Sequence, residues 1–182
     1  MAGVTTATKG EPALRHVMLV GGTPGEWEAL GEPLWEHRLA ELGKVADHVG
    51  ANWLALYPYG PDGGDVAPTW TRTDVVGGCA VTAELEPDGR ARLVRAIEAL
   101  RLAGTPITET TIAAALNAPA AVDPDLVIVL GPSDRLPPSL VWELAYSELV
   151  FVEGTWADLQ PAHLERAIDA FAHRHRRFGG LD

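Results

Sequence analysis

Arg15-His16-Val17-Met18-Leu19-Val20-Gly21-Gly22-Thr23-Pro24-Gly25 sets the architecture of this chain. The run from His16 to Val20 is continuous and apolar rather than alternating, and glycines stop it. That is the pattern of a short strand buried on both faces. Gly21 to Gly25 then forms a turn of the kind whose backbone N–H groups can cradle a phosphate. Pro24 removes one of those donors, and Glu26 would repel an anion. On composition alone, an ordinary tight turn and a phosphate cradle both stay open.

Outward from this strand the pattern repeats. Trp35, Leu39, Leu42, Ala46 and Val49 recur at helical spacing between Pro33 and Gly50, and Pro33 suits a first turn. Trp53 to Tyr57 is a second buried strand, followed by a loop from Pro58 to Asp65. A third strand is expected within Val75 to Leu85. Glu86-Pro87-Asp88-Gly89 turns the chain into a helix that buries Leu93, Ile97 and Leu100. A short helix follows Thr108, and Leu126 to Leu130 is another buried strand. A helix around Ser139 to Ser147 leads into Leu149-Val150-Phe151-Val152. The last helix starts near Pro161, with Leu164, Ile168, Phe171, His175 and Phe178 on one face. Apolar strands alternating with amphipathic helices predict an α/β fold, a mainly parallel central sheet with helices on both faces. In such folds ligands bind beyond the strands' C-terminal ends, where Gly21–Gly25 and Gly131–Arg135 both fall.

The 182 residues suit one domain, expected over residues 15–182 behind a disordered lead-in at 1–14. The start is small and polar, without the basic-then-apolar order of a signal peptide. One cysteine, Cys79, excludes an internal disulfide and fits a reducing, cytoplasmic setting; it reads as a small buried side chain. The formal charge of −11 argues against a nucleic-acid partner, which needs clustered Lys and Arg. His173 and His175 point to different sides of a helix and make no ligand pair, so no metal site is expected.

The later third adds the succession Asp123-Pro124-Asp125-Leu126-Val127-Ile128, Gly131-Pro132-Ser133-Asp134-Arg135, Trp142-Glu143-Leu144-Ala145-Tyr146-Ser147-Glu148-Leu149 and Arg176-Arg177-Phe178-Gly179-Gly180. Together with His16-Val17 and Trp27, it resembles the cis-prenyltransferases, the undecaprenyl diphosphate synthase-like enzymes that extend polyprenyl diphosphates. The resemblance implies their fold, shortened, because Gly60 to Pro68 cannot form the long apolar helix that lines their product tunnel. In those enzymes the first strand runs into Asp-Gly-Asn-Gly-Arg-Trp. Here Gly22 stands at the essential acidic position, Thr23 at the first Gly, Pro24 at the Asn, Gly25 at the second Gly and Glu26 at the phosphate-binding Arg. After the late strand, Val129 replaces the first diphosphate-binding Arg and Pro137 the Ser, while Arg135 matches the second Arg as a residual diphosphate contact. His37 falls loosely near a histidine of the enzymes' first helix.

A familiar scaffold with an emptied site is what the non-catalytic Nogo-B receptor-like accessory subunits look like, with their Gly-Pro-x-Asp turn. The resemblance therefore implies a subunit without catalytic residues of its own. It would pair with a catalytic homologue through a region holding Trp142, Tyr146 and Glu148. Arg177, Phe178 and Gly179 would be donated to that partner's isopentenyl diphosphate site. No cofactor is expected in this chain; Mg²⁺ is expected in the partner, and membrane contact through the partner or its product. A divergent homodimeric short-chain prenyltransferase and a non-enzymatic scaffold are the alternatives.

Overall fold

The computed structural model describes residues 14–60 and 69–178, with side chains described as far as residue 174. Residues 1–13 of the expected lead-in lie outside them. Six strands form one sheet: β1 (His16–Val20), β2 (Trp53–Tyr57), β3 (Thr71–Val76), β4 (Cys79–Glu84), β5 (Leu126–Leu130) and β6 (Glu148–Val152). Their order is β3-β4-β2-β1-β5-β6, and all neighbours are parallel except the β3–β4 hairpin. β1 lies at the centre, with Val17 opposite both Leu54 and Leu126.

Alternation along each strand divides the core in two. Val17, Leu19, Leu54, Leu56, Leu126 and Ile128 face one side, where they meet two helices. These are α2 (Glu32–His48), which presents Trp35, Leu39, Leu42 and Ala46, and α5 (Pro161–Phe178), which presents Leu164, Ile168 and Phe171. Each such side chain contributes about 1.5–3 kcal/mol on burial. Val49 falls past the end of α2 and is 38% exposed. His175 and Phe178 have side chains outside the described residues. Met18, Val20, Ala55, Tyr57, Val127 and Val129 form the opposite side with Leu140.

That second side is covered differently from what the apolar pattern predicts. Helix α3 (Gly89–Leu102), capped by the Asp88 carboxylate, packs against α4 (Glu109–Leu116). Its expected inner residues Leu93, Ile97 and Leu100 are half-buried, whereas Arg92 and Ala96 are buried. The Arg92 guanidinium lies 3.9 Å from the Tyr57 ring centroid and donates to the Glu143 carboxylate at 3.0 Å and the Ser139 carbonyl at 3.2 Å. The Glu143 carboxylate also accepts from the Val141 N–H. Glu143 is thereby turned inward, and the helix expected over Ser139–Ser147 is reduced to a single 3₁₀ turn, Glu143–Ala145.

The strand expected within Val75–Leu85 is β4, and β3, which the sequence pattern does not suggest, precedes it and pairs with it across Gly77-Gly78. Gly77 has a φ of +61°, and a Cβ there would stand 2.2 Å from an Asp47 carboxylate oxygen. Burial pushes the Cys79 thiol up to about 11, with Asp47 adding to the shift. Among the described residues, no helix is long and apolar enough to cross a membrane.

Two stability predictions follow from buried charge. Glu143→Ala strands the Arg92 cation, and loss of about 3–5 kcal/mol is expected by urea unfolding; a loss below 1 kcal/mol would show the pair to be dispensable. His16 is buried, donates from Nδ1 to the Val122 carbonyl at 2.9 Å and leaves Nε2 without a partner. Desolvation holds its pKa below the ordinary value, outweighing that bond and the nearby Asp125 and Asp123. The unfolded chain therefore takes up the proton first, and stability falls as pH drops through about 6.5. Comparing His16→Gln with the parent at pH 7.5 and 5.5 should show a smaller drop in the variant; equal drops would rule out this origin.

Candidate functional site

The loop after β1 folds back on itself. Thr23 caps a short helix, α1 (Pro24–Ala29): its hydroxyl accepts from the Glu26 N–H at 3.2 Å, and its own N–H donates to the Glu26 carboxylate at 2.8 Å. The Thr-Pro-Gly-Glu sequence carries this capping-box signal, with proline in the first turn; reading Gly21–Gly25 as a turn alone overlooks it. Glu26 is thus engaged by its own loop. The Trp27 indole donates to the Gly21 carbonyl at 2.8 Å, and the Trp35 indole to the Trp27 carbonyl at 3.1 Å.

Gly22 adopts a φ of +74°. A Cβ built on it would lie 2.6 Å from Cγ of Trp156, closer than real Cβ contacts come. The direction a side chain would take from position 22 is filled by an indole. Trp156 is 3% exposed and stacks on Trp27, ring centroids 5.0 Å apart at 21°. Trp35 and Trp70 complete the cluster, the latter 5.8 Å from Trp27 and 5.3 Å from Trp35, so Trp70 gains a packing role that sequence reading leaves open. Nothing in the sequence singles out Trp156, which lies 134 positions beyond Gly22.

The loop after β5 faces the same cleft, about 480 Å³, whose walls include Gly22, Thr23, Tyr59, Arg135, Thr155 and Trp156. The structure thus brings the Gly22–Glu26 loop and Arg135 together. Arg135 is exposed, and its carbonyl accepts from the Tyr59 hydroxyl at 3.0 Å. Val129, expected from the resemblance to stand in place of an arginine, is 0% exposed and packs inside the sheet, while Pro137 is buried. Among the described residues, Arg135 and the Glu26 carboxylate are the charged groups facing the cleft. These residues do not suit magnesium: Gly22 offers no side-chain oxygen, and Glu26 is committed to Thr23. Among the described residues, no group of three or more His, Cys, Asp or Glu side chains could hold a metal ion.

The three residues expected at a subunit boundary have partners within the chain. Trp142, half-buried, donates from its indole to the Asp123 carboxylate at 2.9 Å, and the exposed Tyr146 donates to Glu109 at 2.8 Å. Glu148 pairs with Arg174 at 3.2 Å on the outer strand β6. His37 is exposed on α2. The side chains of Arg177 and Phe178, and all of Gly179, lie outside the described residues.

Comparison with known proteins places this geometry. The family model described as "putative undecaprenyl diphosphate synthase" matches residues 67–179. An isoprenyl transferase 2 of Bradyrhizobium diazoefficiens is 47% identical over 90 residues, 50% of this chain and 36% of that protein. A ditrans,polycis-undecaprenyl-diphosphate synthase of Lactiplantibacillus plantarum is 42% identical over 96 residues, 51% and 37% of the two chains. The chain thus spans little more than a third of the length of these relatives. In fold it is similar to the crystal structure of a probable undecaprenyl diphosphate synthase from Campylobacter jejuni (TM-score 0.55, 17% identity, 88% of this chain and 96% of that one). It is also similar to lavandulyl diphosphate synthase from Lavandula x intermedia (TM-score 0.54, 15% identity, 88% and 95%). With more than half its length matched by the family model on a mostly parallel sheet, the chain belongs to the cis-prenyltransferase family.

Proposed function

We propose that this chain is a non-catalytic accessory subunit of a heteromeric cis-prenyltransferase, akin to the Nogo-B receptor-like subunits. The observation that carries the reading is the Trp156 indole standing against Gly22, where the family's enzymes place their essential acid. A diphosphate leaving group needs its developing charge neutralised. Among the described residues, this cleft sets a single exposed arginine beside a glutamate. The family match runs over residues 67–179, taking in Arg177 to Gly179 and leaving out the Gly22 loop. The part of the family plan that is kept is the part an accessory subunit uses.

In this reading the partner is a catalytic homologue in the same cytoplasm. Magnesium, the allylic substrate and any contact of the product with a membrane belong to that partner. Trp142, Tyr146 and Glu148 lie along the shared boundary. Arg177 and Gly179 reach the partner's isopentenyl diphosphate, the arginine as a two-pronged donor and the glycine allowing close backbone approach.

The test is coexpression with a homologue from the same genome that retains the acidic loop, with polyprenyl diphosphate formation as the readout. Both chains together should be active, and Arg177→Ala should lower the rate about ten- to hundred-fold with the complex intact. An unchanged rate in that variant would overturn the donated-motif assignment. Condensation by this chain alone would instead favour a divergent homodimeric enzyme. A second prediction concerns Gly22→Asp, which should cost about 1–3 kcal/mol of stability through strain and crowding against Trp156. It should confer no magnesium-dependent condensation; a stable, active variant would refute the account of the filled site.

A further inference from the structure

On the other side of Trp156 lies a second cleft, about 540 Å³, between α1, α2 and the β6–α5 connection. Its apolar wall is made by Leu30, Leu34, Leu42 and Leu159, and Leu34 is 57% exposed. Arg38 lies at this cleft with its guanidinium 4.5 Å from the centroid of the Trp156 ring. No carboxylate or carbonyl among the described residues bonds to it, and its Nη1 is buried without a partner. The adjoining indole Nε1 of Trp156 is likewise buried and unpartnered. Desolvation alone draws the Arg38 pKa down, with no counter-charge to hold it up.

The other arginines whose side chains are packed inward are compensated. Arg92 has Glu143 and Arg72 has Glu32; each also keeps one buried guanidinium nitrogen without a partner, so what sets Arg38 apart is the lack of a carboxylate among the described residues. Two carboxylates also line the Arg38 cleft, but each is engaged elsewhere: Glu41 with the Lys44 ammonium at 2.6 Å, and Glu26 with the Thr23 N–H at 2.8 Å. A cation taken part-way out of water is costly unless paired, and the indole face offsets only part of that cost. The cleft's size falls within the usual range for small-molecule sites. It offers one unanswered positive charge beside a leucine wall.

We infer that this cleft binds a small amphiphile with a single negative charge, its head on Arg38 and its hydrocarbon body along Leu30, Leu34, Leu42 and Leu159. The resident glutamates disfavour heads of higher charge, so a monocarboxylate is a better match than a diphosphate. Trp156 forms a wall of both clefts, so occupancy here bears directly on the side chain that fills the space before Gly22. The inference does not rest on the accessory-subunit reading, and its test needs neither a partner nor a prenyl substrate.

The probe is decanoate, with 1-decanol as the uncharged control, titrated into the full chain and followed by tryptophan fluorescence and calorimetry. Saturable one-to-one binding of decanoate is expected, with decanol at least about tenfold weaker and Arg38→Gln about ten- to hundred-fold weaker. Leu34→Asp, on the exposed rim, should weaken binding comparably while leaving the thermal midpoint unchanged, so that loss of fold is separated from loss of the site. No saturable binding to the parent, equal affinity for decanol, or full affinity in Arg38→Gln or in Leu34→Asp would each overturn the inference.

Discussion

The contact between Trp156 and the backbone at Gly22 is the constraint around which the functional end of this molecule is organised. An indole stacked on Trp27 and pressed to 2.6 Å from where a Cβ would stand leaves room for hydrogen alone at position 22. The positive φ of Gly22 and the inward seat of Trp156 are therefore one arrangement. The loop is then finished by local bonds, Thr23 with Glu26 and Trp27 with Gly21, which hold it without a ligand. Backbone N–H groups that could answer a phosphate, those of Thr23 and Glu26, are consumed in tying the loop to itself.

The sheet behind it supports this economy. Its α2–α5 side holds the larger apolar cluster, and Trp27, Trp35, Trp70 and Trp156 extend that side to the strand ends, with Arg38 and Arg72 against their rings. The other side joins the β2 end to the Gly131–Ser147 segment through a buried ion pair, Arg92 with Glu143, set over the Tyr57 ring. A pair so placed adds little net stability against an apolar substitute. It does fix geometry: Glu143 holds the turn that carries Trp142 and Tyr146, and Arg92 holds Ser139. The segment bearing Arg135 and the boundary candidates thus takes its position from a polar anchor, and the helix expected there gives way to a single turn.

Family membership and an emptied site are compatible once scaffold and chemistry are separated. The fold depends on apolar strands and on glycines at their ends, which this chain keeps. On the proposed reading, the family's chemistry depends on a carboxylate and several cations, and Gly22, Glu26 and Val129 stand in their places. A scaffold that loses the second set and keeps the first retains surfaces for a partner and for small ligands; Arg38, unpaired beside an indole, is one place where such a ligand would meet charge.

The central strands were legible because both faces of each are buried, so their residues form unbroken apolar runs. α2 and α5 were legible because a helix packed on one side repeats its apolar residues every three or four positions. The resemblance at the two loops rests on particular residue types, Gly22, Glu26 and Val129 among them, and not on periodicity. Other features come from partners distant in the chain, which no local pattern encodes: the hairpin turn at Gly77 beside Asp47, the inward Arg92 answered by Glu143 fifty-one residues later, and Trp156 closing the space at Gly22. Periodicity reports which face of an element is buried. Which side chain fills a given space depends on how the sheet's crossovers bring separate segments together, and that is a property of the folded chain.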